Sequence, residues 1–252
     1  VKDKYRDLDS YLKSSEFMKI PADENQLDFD FDGDEPLTVM DAADQLKYDL
    51  EEYLNNSQRF KGLSGKFNVN VEVAGDVSNP ANSGKLERAL LGANYDFDGT
   101  HNLNLTVGVT EPGLSYGDLG TAFVSKMAQV IRHELLHMNQ FLKFSKGTPT
   151  VALYDEFVKS YENVEVGTEG YYTFDEGFSE KETFSHQIAD ELSSSVGKER
   201  GLEMLRSYDS FDKDLSKISK SYSDVTKSMK SLNNPGLQDI INRSIEYLKL
   251  MR

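Results

Sequence analysis

The stretch from about Leu119 to Phe144 constrains this chain more than any other. Read as a helix, it is apolar on most sides, with Phe123, Met127, Val130, Ile131, Leu135, Leu136 and Phe141 spread around its axis. Such a helix has to be covered by other elements. Yet its middle carries His133-Glu134-Leu135-Leu136-His137, two imidazoles and a carboxylate inside a segment that its neighbours bury. Residues four apart share a helix face, so both imidazoles can reach one metal ion. Glu134 projects beside that ion, where it can take a proton from a metal-activated water. Chance placement of the chain's 4 histidines gives roughly 0.005 such patterns.

Composition narrows the donors. The chain has 252 residues and no Cys, which excludes disulfides, thiolate zinc sites, iron–sulfur clusters and a Cys nucleophile. A metal site here must use imidazole and carboxylate, the donors of an open catalytic zinc rather than a closed structural one. The net charge of −15 argues against a nucleic-acid partner, which needs clustered Lys and Arg. It favours basic or neutral peptides over acidic ones. No run approaches the roughly 20 apolar residues of a membrane span, so no membrane partner is expected. The charged opening VKDKYRDLDS shows no signal peptide. A cytoplasmic or virion-associated protein is therefore expected over a secreted one.

The charge is uneven: residues 1–56 carry net −10, residues 57–197 net −8 and residues 198–252 net +3. That shift predicts a boundary near Gly197–Gly201. One domain would span 1–197, with an acidic segment over 1–60, and a helical extension would span 198–252. Within the first, Thr38–Phe60 reads as a helix with Ala42, Leu46, Leu50 and Leu54 on one stripe. Phe67, Val69, Val71 and Val73 alternate with Asn68, Asn70 and Glu72, as in a half-buried strand. Arg88–Tyr95 and Asn102–Val109 read as two more strands joined at Asp98-Gly99, a hairpin signal. His101, just past that turn, reads as an exposed turn residue. After the long helix come a helix from Val151, a loop over Thr168–Gly177 and a helix over Phe178–Val196. The expected class is α+β, a small twisted sheet with a buried helix, followed by an all-helical C-terminal part.

The string Val130-Ile131-Arg132-His133-Glu134-Leu135-Leu136-His137-Met138-Asn139-Gln140 resembles the active-site helix of zincin metallopeptidases. The resemblance covers about Leu90–Leu192, and only the five-residue motif is specific. It implies a zincin-like sheet packed on that helix, an edge strand that receives an extended peptide, and a zinc-dependent peptidase. Asn102–Val109 is the strand assigned to that edge. The metzincin pattern would need Gly at position 140 and His at position 143, where this chain has Gln140 and Lys143. In the gluzincin branch the third ligand is a Glu on a later helix. The segment around Glu182 is similar to the Glu-x-x-Ala-x-Ala helix of small bacterial and phage-encoded zincins. By that alignment His133, His137 and Glu182 hold one Zn2+. His186, one turn on, is the alternative ligand, and Glu156, Glu176 and Glu180 are also in range. A donor to the developing oxyanion is expected too. Tyr171, Tyr172 and His186 are the candidates.

Two features stand outside this reading. Asp28-Phe29-Asp30-Phe31-Asp32-Gly33 matches the opening of a Ca2+ loop, with Asp28, Asp30 and Asp32 as ligands. Val39 occupies the twelfth position, where an EF-hand needs Glu, so an acidic edge strand is the competing interpretation. Farther on, Tyr208, Phe211, Leu215, Ile218, Tyr222, Val225, Met229 and Leu232 follow a heptad spacing. They form either a hairpin packed on the chain itself or an oligomerising or docking helix over 208–232. The second option would suit an assembly protein, such as a virion component, built on a zincin fold with vestigial or single-event proteolysis.

Overall fold

The computed structural model describes residues 8, 12, 39–56, 67–73, 89–109, 120–161, 163–174 and 179–251. The Asp28, Asp30 and Asp32 segment lies outside them. The described elements run α1 (Val39–Asn56), β1 (Phe67–Val73), β2 (Ala89–Phe97), β3 (His101–Val109), α2 (Gly120–Phe144), α3 (Val151–Lys159), α4 (Glu169–Thr173), α5 (Glu180–Val196), α6 (Lys198–Arg206), α7 (Tyr208–Ile218), α8 (Lys220–Met229) and α9 (Pro235–Leu250). The class is α+β, mostly helical with a three-stranded sheet. No described helix is long and apolar enough to cross a membrane. The residues fall into two compact units that part between Glu134 and Leu135, inside the unbroken helix α2.

In the first unit, alternation gives the sheet two chemically distinct faces. Phe67 and Val69 of β1, Leu91, Tyr95 and Phe97 of β2, and Leu103, Leu105 and Val107 of β3 are buried on one. The other carries two amide ladders that end on one carboxylate. Asn68 Nδ2 donates to Asn102 Oδ1, and Asn102 Nδ2 to Asp96 Oδ1. Asn70 Nδ2 donates to Asn104 Oδ1, and Asn104 Nδ2 to Asp96 Oδ2. A one-residue slip would exchange the faces, so the ladders and the apolar residues specify the same register.

The strand order is β1-β3-β2, with β3 parallel to β1 and antiparallel to β2. This corrects the assignment of Asn102–Val109 as the peptide-receiving edge: β3 is the middle strand, hydrogen-bonded on both sides. The outer edge of β1 is met by α1. Asn55 exchanges two hydrogen bonds with the Phe67 backbone, and Glu51 Oε1 accepts the Val69 N–H at 2.9 Å. The β2–β3 turn is Asp98-Gly99-Thr100, with Gly99 at φ +108°, which a glycine adopts without strain. His101 is not an exposed turn residue. It is fully buried, pairs across the turn with Phe97, and places Nδ1 2.8 Å from the Tyr95 hydroxyl.

The second unit is helical. Helix α2 ends where Lys146 and Gly147 take positive φ and Gly147 N–H returns to Leu142 O. Thr150 then caps α3, accepting the Leu153 N–H. Helices α5 and α9 pack along each other. Ile188, Leu192, Ile240, Ile241 and Leu248 are buried in their shared core, each contributing about 1.5–3 kcal/mol. That core continues through Leu202, Met204 and Leu205, so the chain does not divide near Gly197–Gly201. Gly197 supplies a positive φ of +82° for the turn from α5 to α6. A Cβ on Gly201 would lie 2.9 Å from Leu248 Cδ2 and 3.2 Å from Leu192 Cβ.

The heptad residues also join this core, with Leu215, Tyr222, Val225 and Met229 buried and Tyr208, Phe211, Ile218 and Leu232 packed against them. They do not form one helix, because Ser219 is extended and separates α7 from α8. Its hydroxyl accepts the Tyr222 N–H and lies 2.5 Å from Glu191 Oε2. That carboxylate of α5 also takes the Ser221 N–H.

Candidate metal centre

Helix α2 stays regular through its polar middle, so His133 and His137 stand one turn apart on one face. Helix α5 begins at Glu180, immediately after Ser179. One ligand atom each from His133, His137 and Glu180 lie within 4.8 Å of one another, a group that could hold a metal ion. His137 Nε2 is 3.5 Å from Glu180 Oε1. In a tetrahedral site with bonds of 2.0–2.1 Å, neighbouring ligand atoms stand about 3.4 Å apart. The pair is thus already at coordinating separation. Two nitrogens and one carboxylate oxygen, with no sulfur, also leave room for a fourth, exchangeable ligand.

The surroundings of Glu180 suit a carboxylate that is only 4% exposed. It sits in the first turn of α5, where the helix dipole favours negative charge. Tyr171 donates its hydroxyl to Oε1 at 3.0 Å, and Thr183 Oγ1 lies 2.8 Å from Oε2. The Tyr161 ring lies against Tyr171, tilted by 51° at 5.6 Å between ring centroids. Burial first, and then the Glu180 charge, push both phenol pKa values far up. Tyr171 therefore stays a donor across the ordinary pH range.

Gln140 ties the two helices that carry the group. Its Oε1 lies 3.1 Å from His137 Nδ1 and accepts the Ser179 N–H at 3.1 Å. Its Nε2 donates to Ser179 O at 2.8 Å. Ser179 immediately precedes Glu180, so this amide sets the start of α5 against α2. Glu134 is held separately, because Tyr95 N–H on the β2 edge donates to its Oε2 at 2.8 Å.

The sequence-derived set is only partly assembled. His133 and His137 come together as expected, but the carboxylate beside them is Glu180, not Glu182. Glu182 faces elsewhere, accepting the Tyr247 hydroxyl at 3.0 Å with Lys143 Nζ at 3.7 Å. His186 is not in the group either: its Nδ1 is 3.6 Å from Asp190 Oδ2 and its ring packs on Tyr247. Around a helix, residue 182 stands about 200° and residue 186 about 240° from residue 180, which explains both departures. Tyr171 reaches the centre through Glu180. Tyr172 is a core residue stacked edge-on against Phe184, and burial and then Asp224 raise its pKa. Glu156 is exposed on α3, and Glu176 lies outside the described residues.

The sequence places Glu180 among the residues in range without favouring it as the ligand, and gives Gln140 no role at the site. Glu180 begins the stripe that continues through Phe184 and Ile188, and a carboxylate in that phase is buried and needs partners. Gln140 follows His137 by three positions, where a helix brings side chains together. The chain matches no family model, no curated protein and no solved structure.

Proposed function

We propose that this chain is a zinc-dependent metallopeptidase of zincin type. The reading is carried by the gathering of His133, His137 and Glu180 around the HExxH helix, with ligand atoms within 4.8 Å. The donor set favours zinc, which when bound polarises a carbonyl and lowers the pKa of a bound water to about 7. His133, His137 and Glu180 hold the ion, and Tyr171 and Thr183 hold the carboxylate.

Glu134 is the general base. It takes the proton of the water that attacks the scissile carbonyl carbon. As the C–N bond breaks, it passes that proton to the departing amine. The Tyr95 N–H keeps its carboxylate in place on the β2 edge. The β2 edge, rather than β3, is where an extended peptide would pair its backbone, on either side of the Tyr95 N–H that Glu134 takes, since Glu51 and Asn55 take two successive outward positions on β1. The acidic chain would favour neutral or basic peptides.

Elemental analysis should find about one zinc per chain. Glu134→Gln should keep that zinc and lose hydrolysis of an unstructured protein substrate. A folded native chain that binds no zinc would overturn the reading.

A further inference from the structure

The orientation of the Gln140 amide is decided by its neighbours. Ser179 presents an N–H and a C=O of the same residue to it, and each can pair with only one end of the amide. Reversing the amide would set N–H against N–H and oxygen against oxygen. Oε1 therefore faces the Ser179 N–H, and Nε2 faces Ser179 O. His137 Nδ1 lies 3.1 Å from Oε1. Since that oxygen can only accept, the imidazole nitrogen must donate. In the neutral ring the proton then resides on Nδ1, and Nε2 carries a lone pair. That lone pair is turned to Glu180 Oε1 at 3.5 Å. A nitrogen lone pair and a carboxylate oxygen turned to each other at that separation form two corners of a cation site.

We propose that Gln140 is the positioning residue of the centre. It selects the Nδ1–H tautomer of His137, baring Nε2 for coordination, and through Ser179 it registers Glu180 with that nitrogen. Metal-binding histidines are ordinarily oriented by a carboxylate, a backbone carbonyl or water on the other nitrogen. Here a side-chain amide does this, and the same amide also fixes the element carrying the third ligand. The metal arm of the proposal rests on the zinc reading above. The tautomer arm does not.

The test is imidazole 15N–1H correlation on the EDTA-treated wild-type chain, with His137 assigned by the signals missing in His137→Gln. The expected result at mildly alkaline pH is the Nδ1–H form. Gln140→Leu should shift His137 towards the Nε2–H form usual for free imidazole and weaken zinc about 10–100-fold. Gln140→Glu retains an acceptor for both N–H groups and should restore the Nδ1–H form, a rescue that a general packing role would not give. A wild-type His137 in the Nε2–H form overturns the proposal. So does a Gln140→Leu chain with the wild-type tautomer and wild-type zinc affinity. If Gln140→Leu does not fold, the wild-type spectrum and Gln140→Glu decide. A wild-type chain that takes no zinc would instead sink the peptidase reading, and the tautomer would still judge Gln140.

Discussion

Glu180 and Glu182 are two positions apart in the first turn of α5, with the same side chain and opposite surroundings. Glu180 is buried beside an imidazole nitrogen, with a phenol and a threonine hydroxyl on its oxygens. Glu182 is a quarter exposed, shares Tyr247 with the α9 side, and has Lys143 close by. Both accept a tyrosine hydroxyl at 3.0 Å, so that hydrogen bond does not separate them. What separates them is the remaining neighbour, a cation in one case and a metal-binding nitrogen in the other. At Glu182 the neighbouring ammonium already offsets the charge. At Glu180 the third neighbour is a histidine whose facing nitrogen can bind a cation. Charge demand at a buried carboxylate, rather than its presence in a plausible helix, marks the ligand.

The comparison breaks most sharply on zinc affinity. Glu180→Gln removes one of three ligands and should weaken zinc by more than about 100-fold, beyond the range typical of outer-sphere partners. Glu182→Gln should stay within about 3-fold of wild type. Competition with a chromophoric chelator measures both. Equal losses, or a larger loss at Glu182, would return the ligand role to the residue that the sequence alignment favours.

The two tyrosines give a matched and smaller pair. Tyr171→Phe leaves the ring stacking and removes the hydroxyl that holds Glu180 Oε1, so zinc should weaken about 10-fold. Tyr247→Phe does the same to Glu182 and should leave zinc affinity unchanged, at a cost of about 1 kcal/mol in unfolding free energy. Burial and then Glu182 raise the Tyr247 pKa, as burial and then Glu180 raise that of Tyr171. Titration of the phenols therefore cannot distinguish the two, and the metal must.

What the sequence disclosed and what it withheld follow the range of the forces involved. Periodicity is local, so β1 over Phe67–Val73 and the buried α2 were readable from their own residues. Strand order depends on pairing across many residues, and nothing inside Asn102–Val109 says that β1 pairs on its far side. His101 was misjudged because turn chemistry at Asp98-Gly99 outweighed phase. Its place on the Leu103, Leu105 and Val107 face was visible and sufficient. The HExxH pair was legible because one helix turn dictates it. Glu180 was in range, yet a two-residue choice on α5 depends on where the helix begins, which Ser179 and Gln140 settle by contacts 39 positions apart.

The third side of the same turn supplies the smallest effect. Between the two glutamates, Lys181 is buried and meets Asp239 of α9 at 3.0 Å, with Arg243 at 3.3 Å from the same oxygen. Burial pulls the Asp239 pKa up, but Lys181 and Arg243 outweigh it, and the net shift is downward. A carboxylate with a lowered folded-state pKa stabilises the fold above its unfolded pKa of about 3.9. That stability disappears as pH falls through the lower, folded value. Asp239→Asn should therefore be less stable than wild type at pH 7, and the two chains should converge below about pH 4. Asp239 is 44% exposed, so solvent screening holds the difference below about 1 kcal/mol. Urea midpoints across the pH range, repeated at high salt, measure it. The zinc affinity of Asp239→Asn should match wild type, because Lys181 and Glu180 point to different sides of α5. A parallel loss of zinc would show that the α9 contact, and not Gln140 alone, sets where Glu180 stands.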